Sequence, residues 1–152
     1  CYIPNHSCID NCIHTFAGVQ LRLACAELME QQGHEEPTGL AKITPAFNLP
    51  CKYVLHTVGP IIQSRVTEKR PAAAGVLLPL LPGAGRGAWS PQCGLCCIST
   101  GEFHFPNQEA AEIAVRTVRE FLEQQTTSVE RVIFNVFKDL DAAIYRRLLG
   151  PD

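Results

Sequence analysis

No run in this sequence is long and apolar enough for a transmembrane helix, which excludes a membrane-spanning helix within these 152 residues. Charge of either sign is scarce. The formal net charge is −2 and charged residues make up 18%, so no basic footprint exists for nucleic acid or an anionic membrane surface. Internal repeats are absent, which excludes a solenoid or propeller. No signal peptide is visible and the first residue is not Met, so the chain is expected to be incomplete at its N-terminus. Eight cysteines are present. The chain is long for a disulfide-stapled mini-domain, and its patterning is helix and strand. Reduced thiols in a monomeric, cytoplasmic protein are expected, some of them on metal, with no membrane or nucleic-acid partner.

What is present is enough for one packed domain: 46% of residues are hydrophobic. The chemistry concentrates at the start. Cys1, His6 and Cys8 form Cys-x4-His-x-Cys, the thiolate and imidazole set that zinc selects. Three ligands leave a fourth position open, which suits a catalytic site better than a closed structural one. Asp10 follows at once. It reads as the N-cap of the next helix, stabilising by about 1 kcal/mol, and as a carboxylate that orients or deprotonates a water. His14 falls one turn further on the same face and reads as a supporting residue.

From Asp10 to Gly33 the apolar spacing predicts a single helix with Gly33 as its stop. Thr38 to Thr44 and Lys52 to Val58 read as strands, separated by a turn and ended by Gly59-Pro60. Residues 70–94 are rich in Ala, Gly, Pro and Leu. Prolines 71, 79, 82 and 91 forbid one continuous helix, and so long a structureless loop is unusual in a compact domain. This segment reads as aberrant, either a flexible loop or a stretch translated in a shifted frame, a choice the coding DNA decides. Order returns with a strand at 96–99. A loop holding Ser99, Thr100, Gly101, Glu102 and Phe103 follows, then a helix over 107–123, a strand over 131–137 and a helix over 139–149. Alternating strands and helices predict an α/β protein with helices covering a sheet. Ser99-Thr100-Gly101 lies where α/β proteins hold phosphates, although so short a motif taken alone favours an ordinary strand–helix connection. Asn135, among apolar neighbours, is expected to have a polar partner.

These blocks occur together in a familiar order. Cys8-Ile9-Asp10-Asn11-Cys12-Ile13-His14, Thr38-Gly39-Leu40-Ala41-Lys42-Ile43-Thr44, His56-Thr57-Val58-Gly59-Pro60, Cys97-Ile98-Ser99-Thr100-Gly101-Glu102-Phe103 and Val132-Ile133-Phe134-Asn135-Val136-Phe137 resemble macrodomains. The opening Cys-x4-His-x-Cys resembles the zinc-dependent branch, which removes ADP-ribose from modified proteins. The resemblance implies a three-layer α/β/α fold with a mixed sheet, spanning residues 1–152 as one partial domain. It implies Zn2+ on Cys1, His6 and Cys8, and catalysis by Asp10 and Asn11. Substrate contacts would come from Ile13, from Ser99, Thr100, Gly101, Glu102 and Phe103, and from Asn135 and Phe137 beside the adenosine. The implied partners are ADP-ribose and an ADP-ribosylated protein. The family's first strands, its adenine-reading acid and the Asn-rich segment before the catalytic loop are missing. That keeps two rival readings open: an ADP-ribose reader without turnover, and an inactive fragment with a structural zinc.

Overall fold

A computed structural model describes residues 8–59, 92–101, 103–124 and 129–150. They fall into two compact units, divided between Val58 and Gly59.

The first unit opens with α1 (Ile9–Ala17) and α2 (Val19–Gln32). The expected single helix is therefore two. Gly18 breaks it with φ 90 and ψ 175, a conformation that side chains disfavour. A Cβ there would lie 2.8 Å from Asn48 Nδ2, the movable end of a side chain, so it is the backbone conformation that calls for glycine. The Asn48 N–H donates to the Ala17 carbonyl at 3.3 Å and fastens the break. Ala17 and Leu21, on either side of it, are fully buried. Gly33 ends α2 in the left-handed region, as expected. Strands β1 (Ala41–Pro45) and β2 (Tyr53–Thr57) then pair antiparallel, from Ala41 opposite Thr57 to Pro45 opposite Tyr53.

The second unit holds a β-α-β crossover. Strand β3 (Gln92–Cys96), helix α3 (Asn107–Gln124) and strand β4 (Arg131–Asn135) follow one another, and β3 pairs parallel with β4. Helix α4 (Asp139–Leu149) completes it. Both kinds of strand pairing thus occur, as a mixed α/β architecture requires. The strand expected at 96–99 lies earlier. Pairing ends where Cys96 meets Asn135, and Ser99 has φ 65, which no strand residue adopts. Gln92, Cys93 and Gly94, expected to close the aberrant segment, belong to this ordered strand; residues 70–91 lie outside the described residues.

Ala111 and Val115 of α3 pack on Ile144 and Tyr145 of α4, with Phe134 and Leu148 against them. The Phe134 and Tyr145 rings lie 5.0 Å apart. Ala114, Val118 and Phe121 of α3 are buried as well, whereas Leu122 is exposed. Cys97 joins this core as a small hydrophobe. Burial, with Asp141 nearby, pushes its thiol up to about 11. Every described cysteine is a free thiol. No helix among the described residues is long and apolar enough to cross a membrane.

Candidate active site

In the first unit the candidate residues share the first turns of α1. Cys8, in extended conformation, takes the N-cap position that the sequence suggested for Asp10. Asp10 instead lies inside the first turn, where the helix dipole still favours a negative charge. The reason is that the N-cap lies two residues earlier, with the Cys12 N–H donating to the Cys8 carbonyl at 3.1 Å. The Asp10 carboxylate is 37% exposed, while its neighbour His14 is only 8% exposed, with Nε2 and Oδ1 3.6 Å apart. Asn11 and Ile13 are half-buried beside them, and the Asn11 carbonyl accepts from the Thr15 hydroxyl at 2.7 Å. Cys1 and His6 lie outside the described residues. Cys8 fits a soft ligand set: it is half-buried, and its side chain makes no capping hydrogen bond.

Behind Asp10 lies a cluster that sequence reasoning missed. His14, Cys25 and His56 each present a donor atom, and the three atoms lie within 4.8 Å of one another. The Cys25 Sγ stands 3.8 Å from His56 Nε2 and 4.0 Å from Nδ1. The Thr44 hydroxyl, itself buried, is 2.9 Å from His56 Nε2. Burial lowers the pKa of both histidines, and for His56 the neighbouring His14 lowers it further. Burial also raises the Cys25 thiol, reinforced by the Asp10 charge. Near neutral pH the cluster is therefore uncharged, and the Asp10–His14 contact is a dipolar one with a neutral imidazole. The one sequence signal was His56, an ionisable residue following the apolar run Tyr53-Val54-Leu55.

In the second unit the parallel pairing of β3 and β4 places the ends of both strands at one edge, the usual ligand edge of an α/β sheet. Ser99, Thr100, Gly101 and Phe103 leave from β3 and Phe137 from β4. Ser99 is held in the left-handed region, and its buried hydroxyl has no hydrogen-bond partner. Both features are costly and recur where a ligand is received. The loop is fixed by the Thr100 hydroxyl donating to the Cys97 carbonyl at 3.1 Å and by the Phe105 N–H donating to the Ser99 carbonyl at 2.9 Å. Gly59 backs Ser99 so closely that a Cβ would overlap the hydroxyl. The sequence marked Gly59 only as a strand end. Gly101 faces open space. Phe103 is half-buried, and Glu102 lies outside the described residues. Asn135 is exposed, because β4 buries alternate residues and Asn135 falls on the outward register. The expected buried partner is therefore not required. Phe137 is 93% exposed.

The sequence is 56% identical to a protein-ADP-ribose hydrolase of Treponema medium, over 99% of this chain and 57% of that protein. It is 49% identical to a protein-ADP-ribose hydrolase of Staphylococcus aureus (strain MSSA476), over 100% of this chain and 57% of that protein. The chain thus spans little more than half the length of these curated relatives. Among solved structures, a macrodomain variant of Oceanobacillus iheyensis with ADPR superposes with a TM-score of 0.79 at 31% identity, covering 95% of this chain and 77% of that one. The Macro domain model matches residues 1–114. With the α/β architecture, the ligand edge and the strained serine loop in place, these matches show that the chain belongs to the Macro domain family.

Proposed function

We propose that this chain carries the catalytic part of a zinc-dependent protein ADP-ribosyl hydrolase, acting on mono-ADP-ribosylated protein in the cytoplasm. The observation that carries hydrolysis rather than binding alone is Asp10: a partly exposed carboxylate in a helix's first turn, steadied by a buried neutral histidine. A general base needs this combination of access and fixed orientation. The free thiols support a reducing compartment.

The diphosphate is received by Ser99, Thr100 and Gly101, with the orphaned Ser99 hydroxyl available as a donor to a phosphate oxygen. Phe103 borders the distal ribose and Glu102 would contribute to the same contact, while Asn135 and Phe137 border the adenosine. The exposed ring of Phe137 offers a face for stacking. Asp10 takes a proton from a water whose oxygen bonds to the anomeric carbon, and the bond from that carbon to the protein side chain breaks, its electron pair leaving with the side-chain atom. Asn11 and Ile13 hold the ribose toward Asp10. Cys1, His6 and Cys8 would hold zinc, which when bound supplies Lewis acidity toward a ribose oxygen or water.

Release of ADP-ribose from a mono-ADP-ribosylated protein tests this reading. An Asp10→Ala chain should lose at least about 100-fold in rate while binding free ADP-ribose as tightly as the parent by calorimetry. Unchanged release would end the catalytic assignment. Binding without turnover in the parent would leave the reader module.

A further inference from the structure

We infer that His14, Cys25 and His56 form a second metal site, separate from Cys1, His6 and Cys8, for a borderline transition-metal ion of the zinc class. The donor set is two imidazoles and a thiol, the ligands such ions select over magnesium or calcium. In a tetrahedral zinc site, bonds of about 2.0 Å to nitrogen and 2.3 Å to sulfur put the donors about 3.5 Å apart. The three donors here lie within 4.8 Å of one another, and Cys25 Sγ is already 3.8–4.0 Å from the His56 nitrogens. Shifts of about an ångström close the set.

The surroundings carry the inference further. A metal-bound histidine usually has its second ring nitrogen held by an oxygen, often a carboxylate. His56 shows this pattern, and His14 has a carboxylate near enough to complete it after a small shift. His14 Nε2 faces the Asp10 carboxylate at 3.6 Å, while its Nδ1 is buried with no hydrogen-bond partner. His56 Nε2 faces the Thr44 hydroxyl at 2.9 Å, which leaves Nδ1 for a metal. A buried polar atom without a partner calls for an explanation, and a cation between the three side chains supplies one. Binding converts the Cys25 thiol to thiolate and releases one proton to solvent. The fourth ligand is a water or hydroxide.

Cobalt(II) is the probe, added to the full chain carrying Cys8→Ser after treatment with a chelator. The expected result is one cobalt per chain, with a thiolate-to-cobalt charge-transfer band in the near ultraviolet and the intense visible bands of tetrahedral cobalt. Adding Cys25→Ser should abolish both. No thiolate band in the Cys8→Ser chain, or one that survives Cys25→Ser, overturns the site. Should the Cys25→Ser chain fail to fold by circular dichroism, zinc protection of the Cys8→Ser chain decides. Alkylation of Cys25, mapped by mass spectrometry, should slow at least tenfold with zinc, relative to the exposed Cys51. Equal slowing of both cysteines, or none, counts against the site.

Discussion

Replacing Gly59 by alanine tests the serine loop without touching any residue assigned to chemistry. The added Cβ would lie 2.8 Å from Ile98 Cγ2 and 3.2 Å from Ser99 Cβ, and closer still to Ser99 Oγ. Gly59 is not among the glycines with positive φ, so the backbone accepts alanine and the cost is steric. Overpacking of this kind costs about 1–3 kcal/mol. The stiffer unfolded chain returns about 0.4–1 kcal/mol. The net expectation is a loss of about 1–2 kcal/mol. Ser99→Ala alone should be near neutral, because it removes a buried hydroxyl that has no partner. Combined, the two changes should recover about 1 kcal/mol of the Gly59→Ala loss, since the shortest overlap disappears. Urea unfolding of the four chains, with the slope required to stay constant, measures this. ADP-ribose calorimetry on the same chains should show weaker binding for Gly59→Ala, whose clash drives Ser99 out of place. A Gly59→Ala chain within about 0.5 kcal/mol of the parent, or no recovery in the double variant, refutes the packing argument and with it the shaped loop.

Acid should unfold the first unit early. His14 and His56 have folded pKa values lowered below 6.5, so the unfolded chain binds protons first as pH falls. Stability is full above about pH 6.5 and is lost below it, at up to about 1.4 kcal/mol per pH unit for each histidine. Denaturant midpoints between pH 7.5 and 5 check this, and His56→Gln should flatten the slope. Phe137→Ala should leave stability within about 0.5 kcal/mol, since the ring is 93% exposed. It should weaken ADP-ribose by about tenfold or more if the ring stacks on adenine; unchanged affinity removes Phe137 from the site. Asn107→Ala should cost about 1.5–3 kcal/mol, because Asn107 Nδ2 donates at 2.6 Å to the carboxylate of Asp141, which is 4% exposed. A thermal melt reads the loss.

Much of the fold was legible because local rules agree with the tertiary structure. The extent of α3, the Gly33 stop and the bounds of α4 each follow from residues a few positions apart. What failed depended on distant partners. The start of β3 is set by pairing with β4, which no local pattern encodes, and the left-handed Ser99 only then cuts the strand short. Asn135 was misjudged for the same reason: a strand's apolar neighbours do not say which side faces outward. In the site, Asp10 and Ser99 stood out because each joins a special residue type to a special local position. Gly59 did not, since its role is to make room for a side chain 40 positions away.

The His14–Cys25–His56 cluster shows how one misread residue hides a site. His14 and Cys25 are 11 residues apart, about three helical turns, so the expected continuous helix would put them on one face. It would also hold them about 16 Å apart along the axis, too far for any shared ligand. The break at Gly18 changes that. With φ 90 there, α2 leaves on a new course, and the His14 and Cys25 donor atoms come within 4.8 Å. His56 arrives by strand pairing, with its ring steadied by Thr44 from the neighbouring strand. Gly18 is therefore as much a residue of this cluster as its donors are, although it contributes no ligand atom. His14 is itself buried, and that burial keeps the imidazole neutral against Asp10. A metal in the cluster would therefore act on Asp10 through His14.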